Sequence, residues 1–364
     1  MLEIFPKGCD KNNFDKTYII TGDTNDGFVF VRDHMPVVEN LSMDYDHNNI
    51  FIPQCHNTIK DIIKLTNYKT NYVFGESYLK WDEFSEFYTT PCFFSSLAIT
   101  YQHIDIEKHM YSDDVTVMAL MRQNRPHRHL LSAWLNSNPC NLKYTQNFDN
   151  DDLLLSELVR CTKYEHLKST LPKYTVGSNE DLTSVRSRPW DPISAFEMFE
   201  SLITSSTFHI ITEPNFFELG CSITEKYLWC LYGHSFPIFC GSYKLPDAIK
   251  EIGFDVFDDI IDHSYQYELN PTLRTLNALE NNKHLLNNKN IRKTDYIERH
   301  QSNLKLVRQD LDKTLDKLYK PIEKLSKKID LSPVLKINTF KPFTQKVSYR
   351  QHKNFPLIPS NNFN

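Results

Sequence analysis

The order of apolar and polar positions predicts alternating strands and helices. Tyr18-Ile19-Ile20-Thr21 and Phe28-Val29-Phe30-Val31 are short apolar runs bounded by turn residues, the form of buried strands. Ile59, Ile62 and Ile63 fall on one helical face within residues 56–65, and Tyr72-Val73-Phe74 follows as a strand. Residues 91–99 are apolar with no period that separates helix from strand. Residues 115–120 form the next apolar run, followed by a basic turn and an amphipathic segment over 129–136. Residues 152–167 predict a helix capped by Asp151 or Asp152, with Leu154, Leu155, Leu158 and Val159 on one face. Residues 208–212 read as a strand, 222–232 as a helix and 236–239 as a strand. That order implies a right-handed parallel crossover, and such sheets hold ligands at the carboxyl ends of their strands. A helical pattern runs from Asn270 to Asp330, with an apolar stripe of Leu304, Leu311, Leu315 and Leu318, and residues 331–364 read as an extended basic tail.

At 364 residues and 42.9 kDa, the chain is long enough for two domains. No apolar run approaches the ~18–20 residues that a membrane-spanning helix needs, and Met-Leu-Glu-Ile-Phe-Pro lacks the basic and apolar regions of a secretory leader. The expectation is a soluble cytoplasmic protein. None of the nine glycines stands at G-x-G spacing, and Gly22 and Gly27 are followed by Phe28 and Val29 where a P-loop requires Lys and Ser/Thr. The dinucleotide fingerprint and the P-loop are therefore excluded. The eight cysteines contain no C-x-x-C and read as small buried hydrophobes.

Charge is unevenly spread. Residues 281–364 carry 18 Lys and Arg against 7 Asp and Glu, whereas residues 1–280 carry 23 against 39. An acidic body thus precedes a basic last quarter, which favours a polyanionic partner or a solvated helix face.

Two constellations carry candidate chemistry. In the first, a hydrophobic strand runs directly into Arg122-Gln123-Asn124-Arg125-Pro126-His127-Arg128, with a helix beyond. Arginines at a strand's carboxyl end, beside a helix N-terminus, make an anion site; the plainer reading is a surface basic turn. In the second, a strand ends at Glu213, and Ile223-Thr224-Glu225-Lys226 opens the following helix. Thr224 suits the cap position, Glu225 can accept from ribose or sugar hydroxyls, and Lys226 can neutralise a diphosphate; the plainer reading is an ordinary capping segment.

Glu213, Ile223-Thr224-Glu225-Lys226, Gly233, Pro237 and Ile238 together resemble the donor-binding signature of α-1,3-fucosyltransferase-like glycosyltransferases. A closer resemblance is to virus- and phage-encoded glycosyltransferases, through Arg122 to Arg128, Gly253-Phe254-Asp255-Val256-Phe257-Asp258 and Asp262-His263-Ser264-Tyr265. Leu120-Met121-Arg122-Gln123 departs from the usual Leu-Asn-Arg-Arg, and the insertion between Glu213 and Ile223 is two residues longer than is common. The resemblance covers about residues 115–275. It implies an α/β GT-B fold: two Rossmann-like domains facing across a cleft, with C-terminal helices crossing back onto the first. The corresponding division is an acceptor-side domain over 1–113, a donor domain over 114–275, a helical segment over 276–330 and the tail over 331–364.

The implied activity is transfer of a sugar from a nucleoside-diphosphate sugar to an acceptor hydroxyl, inverting, with no bound metal and no cofactor. The donor site is expected to comprise Arg122, Arg125, His127, Arg128, Thr224, Glu225 and Lys226, with Glu213 lining the same pocket. A catalytic base belongs in residues 1–113; Asp23, Asp33, His34, Asp44 and Glu76 are eligible by chemistry, and Asp33 and Glu76 follow predicted strands. The favoured acceptor is a hydroxymethylated base in phage DNA in the host cytoplasm, because the basic last quarter suits dense phosphate. A glycan or lipid-linked sugar is the alternative acceptor.

Two rival classes differ in kind. Asp44-Tyr45-Asp46 and Asp149-Asn150-Asp151 have the D-x-D spacing of metal-dependent transferases. Lys317, Lys320, Lys324, Lys327 and Lys328 alone fit a non-enzymatic nucleic-acid-binding protein. Cofactor-free hydrolase chemistry has little support, since neither G-x-S-x-G nor H-E-x-x-H occurs.

Overall fold

The computed structural model describes residues 28–32, 49–54, 72–75, 87–89, 92–102, 104–106, 111, 114–121, 125–146, 148, 151–169, 192–213, 223–314 and 316–317. Strands β1 (Phe28–Arg32), β2 (Asn49–Gln54), β3 (Tyr72–Gly75) and β4 (Phe87–Thr89) form a parallel sheet in chain order. The strands expected at Phe28 and Tyr72 are present; the strand expected over 18–21 and the helix expected over 56–65 lie outside the described residues.

The apolar stretch after Pro91 is a helix, α1 (Cys92–Tyr101). It precedes the domain boundary expected near 113, yet Phe94, Leu97, Ala98 and Tyr101 pack in the core of the second sheet. That sheet comprises β5 (Val117–Met121), β6 (Leu142–Gln146), β7 (Phe208–Thr212) and β8 (Phe236–Cys240), all parallel, in the order β6-β5-β7-β8. Every residue of β5, β7 and β8 is buried. Continuous apolar runs fit strands covered on both faces.

Helices cover those two faces. On one side lie α2 (Pro126–Ser137), α3 (Asp152–Val159) and α7 (Pro271–Asn281), packed against Val117, Ala119, Phe208, Ile210, Phe236 and Ile238. On the other lie α1, α4 (Pro192–Ser205), α5 (Glu225–Tyr232), α6 (Leu245–Ile252) and α8 (Ile297–Arg308), packed against Met118, Leu120, Ile211 and Phe239. The alternation of side chains along each strand divides the core between the two layers.

Local chemistry sets the helix ends. Pro126 occupies the first turn of α2, where its missing N–H costs nothing. Asp151 caps α3, accepting from Leu154 N at 2.9 Å. The helix expected over 152–167 ends at Val159: Thr162 donates to Val159 O through both its backbone N and its Oγ1, and Cys161 takes a left-handed φ of 60°. A separate 3-10 turn follows over Glu165–Ser169.

The helix after Asn270 corrects an expectation. It was expected to cross back onto the first domain; instead α7 packs on α2 and β8 of its own sheet, burying Leu276, Ala278 and Leu279 beside Phe236. The later helix α8 packs on α1 and α5.

The described basic residues of the C-terminal segment are largely engaged within the fold. Arg299 pairs with Asp255 at 2.6 Å and Asp259 at 2.8 Å, Lys289 with Asp114 at 2.8 Å and Arg308 with Asp105 at 3.6 Å. Lys293 is buried and donates to Thr204 O at 2.7 Å and Gly233 O at 2.8 Å, tying the carboxyl ends of α4 and α5 together. Much of the charge asymmetry among the described residues is therefore an attraction between this segment and the acidic body.

Candidate functional site

Strand order fixes where a ligand can enter. The chain runs from β5 outward to β6, then crosses back over β5 to β7, so β5 and β7 flank the topological switch point. The crevice at the carboxyl ends of such a strand pair is the usual ligand position in parallel α/β sheets. Met121 ends β5 and Thr212 ends β7, so the two constellations singled out in the sequence, at 122–128 and 213–226, meet at this edge. Helices α2 and α5 start here from opposite faces of the sheet, and both direct their N-terminal dipole ends to the edge.

Arg128 is buried in the first turn of α2 and donates from Nη2 to Thr212 O at 3.2 Å, bridging the two strands from below. Burial and the neighbouring Arg125 pull its guanidinium down to about 10, which leaves it charged at neutral pH. Arg125 holds the cap position of α2 and is half-buried. His127 is fully buried; burial, then Arg128, Arg125 and Lys226, hold its pKa well below the ordinary value against a hydrogen bond with the Glu213 backbone, so it is neutral.

Glu213 is 0 % exposed. Its Oε1 accepts from Thr224 N at 3.1 Å and its Oε2 from Thr224 Oγ1 at 2.5 Å. Burial raises its carboxyl to about 7 despite the opposing effects of Lys226 and Thr224. The Thr224 hydroxyl also accepts from Lys226 N at 3.4 Å, the cap predicted from the sequence. Glu213 thus fixes the start of α5 through Thr224. Lys226 Nζ lies 2.8 Å from Glu225 Oε1, with both side chains mostly buried. Burial acts to raise the Glu225 carboxyl, but Lys226, the residue's own backbone N–H and Arg128 outweigh it, and the group titrates below its ordinary value.

His209, in the middle of β7, was not singled out in the sequence. Its ring is fully buried with neither nitrogen hydrogen-bonded, and burial, then Lys226, lower it to about 3. A lone histidine in an apolar run gives no signal of this kind.

The structure therefore brings Arg125, His127, Arg128, Glu213, Thr224, Glu225 and Lys226 to one edge. Arg122, Asp33 and Glu76 lie outside the described residues. The other motif residues have packing roles. Gly233 is required by close approach, since a Cβ there would sit 2.3 Å from Ile203 O. Gly253 ends α6 with φ 117°, Phe254 and Phe257 are buried, and Tyr265 Oη accepts from Phe239 N at 3.0 Å.

The class these features define is an α/β protein with a parallel sheet compatible with a Rossmann-like fold, cationic at its switch point. In comparisons with protein-family models, curated proteins and solved structures, the chain matches none.

Proposed function

We propose that this protein is a GT-B glycosyltransferase that binds a nucleoside-diphosphate sugar at the switch-point edge of the second sheet and transfers the sugar to an acceptor hydroxyl. The observation that supports this reading is the gathering of Arg125, Arg128 and Lys226 around Glu225 and the proton-binding Glu213, where two helices begin. Breaking a sugar–phosphate bond leaves a diphosphate, and cations already fixed in place stabilise that charge as it develops. Arg128 is held by Thr212 O, so it needs little reorganisation to serve. Lys226 exchanges its pairing with Glu225 for the diphosphate, and Glu225 then accepts from ribose or sugar hydroxyls. Glu213 is a positioning residue that acts through Thr224. Asp33 or Glu76, on the facing domain, takes the acceptor proton, and the reaction is inverting and metal-independent.

The acceptor in this reading is a hydroxymethylated base in DNA. Its support is residues 318–364, where nine Lys and Arg stand against two acidic residues. The basic residues before 318 add little, being largely occupied within the fold.

The test begins with thermal denaturation in uridine or guanosine diphosphate, which raises the melting temperature if the site binds either. Radiolabelled nucleotide-sugars are then offered with hydroxymethylated DNA, plain DNA and oligosaccharides. Lys226→Ala is expected to raise KM for the donor or lower kcat at least roughly tenfold. Unchanged kinetics would remove the donor-site assignment, and label entering only oligosaccharides would remove the DNA acceptor.

A further inference from the structure

The turn after β8 belongs to the same edge. Thr212 pairs with Cys240, so Glu213 and Gly241 leave the sheet side by side, and Tyr243 follows within about 10 Å of the Glu213 backbone. The turn is built around two left-handed residues, Gly241 with φ 126° and Lys244 with φ 51°. A lysine there needs outside support. Arg274 supplies part of it, donating from Nε to Gly241 O at 2.5 Å and from Nη1 to Glu268 O at 2.7 Å. Lys244 N donates to Gln266 O at 3.3 Å, and Asp247 N donates to Gln266 Oε1 at 3.1 Å. These bonds join residues 241–247 and 264–269 into a single shelf.

The outer surface of that shelf is aromatic and cationic. Tyr267 is 53 % exposed and Leu269 65 %, while Tyr243 is half-buried. Lys244 Nζ lies 5.4 Å from the Tyr243 ring centroid and 5.9 Å from that of Tyr267. Tyr267 Oη donates to Asp247 Oδ2 at 2.9 Å, which fixes the orientation of an exposed ring. In the same turn, the buried Ser242 Oγ has no hydrogen-bond partner.

We propose that this shelf is the base-recognition subsite of the donor nucleotide: Tyr243 and Tyr267 stack the nucleobase, and Lys244 donates to its ring acceptors. The inference rests on the nucleoside-diphosphate reading given above. Flat phenol faces suit a heteroaromatic ring, because every base presents a π face. The shelf lies beside the cationic edge on the β8 side, where a ribose bridges diphosphate and base.

The test is titration calorimetry on the full chain with uridine diphosphate, guanosine diphosphate and inorganic pyrophosphate. Wild type is expected to bind at least one nucleoside diphosphate more tightly than pyrophosphate. Tyr243→Ala and Tyr267→Ala each weaken that nucleotide roughly 5- to 150-fold, the range for one lost base–aromatic stack, and leave pyrophosphate unchanged. Tyr267→Phe, which keeps the ring, retains most of the affinity; the exposure of Tyr267 makes its variants safe for folding. Pyrophosphate binding as tightly as both nucleotides would overturn the base subsite while leaving the anion site standing. Alanine variants that bind nucleotide like wild type, or that weaken pyrophosphate equally, would also overturn it. Failure of wild type to bind any of the three overturns both readings.

Discussion

Glu213→Gln isolates what a buried carboxyl does at the centre of the site. Both Glu213 oxygens face Thr224, and burial lifts the carboxyl from 4.5 to about 7. The folded chain therefore holds this proton over a pH range in which the unfolded chain has released it. The favourable contribution is complete below about pH 4.5 and is lost as pH rises through about 7. At about 1.4 kcal/mol per pH unit, the loss amounts to about 3 kcal/mol. Glutamine keeps the shape, accepts from Thr224 N through its carbonyl and donates to Thr224 Oγ1, so it mimics the protonated acid without titrating. Urea denaturation of both proteins at half-unit intervals from pH 5 to 8.5 reads the difference. Wild-type stability should fall relative to the glutamine variant as pH rises, by up to about 3 kcal/mol across the series. A difference between the two that stays constant with pH would refute the assigned proton and the buried geometry behind it.

Other perturbations test the framework of the site. Thr224→Val removes the hydroxyl that caps α5 and donates to Glu213; it should cost about 1–3 kcal/mol in urea denaturation and weaken pyrophosphate binding in parallel. Gly233→Ala drives a methyl against Ile203 O and should cost about 1–3 kcal/mol, visible as a lower melting temperature. Lys293→Met strips the donor from two helix-end carbonyls, Thr204 O and Gly233 O, at about 1–3 kcal/mol for each left unsatisfied. Burial pulls Lys293 down to about 7, so the unfolded chain alone holds that proton from about pH 7 to 10.5 and wild-type stability gains with pH there; the methionine variant lacks that gain.

The sequence shows β5, β7 and β8 well because each is a short apolar run bounded by turn residues, as buried parallel strands require, whereas β6, Leu-Lys-Tyr-Thr-Gln, is no apolar run and was missed. Thr224 was legible as a cap because a hydroxyl before a helical run has one common use. Helix α1 was not legible as a helix. Phe94, Leu97, Ala98 and Tyr101 are buried, helices α4, α5 and α8 pack on it, and its polar residues are only the small Ser95, Ser96 and Thr100, too few to mark a period. The break of α3 at Val159 was also missed, since Thr162 and Cys161 end it by hydrogen bonding and a left-handed turn that leave no mark on the apolar spacing. The site residues were recognisable by type, but the bond from Thr224 to Glu213 was not, because eleven positions separate the two. The charge asymmetry was visible, yet the pairing of Arg299 with Asp255 and Asp259 depends on how α8 packs.

The reach of Arg128 to the carbonyl of Thr212 joins residues 84 positions apart. That bond cannot close until both of its ends have been made. The chain runs through β6 and back across β5 to β7 before Thr212 is reached, and Lys226 comes later still, at the start of α5. During synthesis from the amino terminus, a nascent chain that has not yet presented residue 226 has only the arginine half of the anion site. A ligand that needs both halves therefore selects finished molecules and gives no stabilisation to partial folds, which makes its binding a reporter of completed folding.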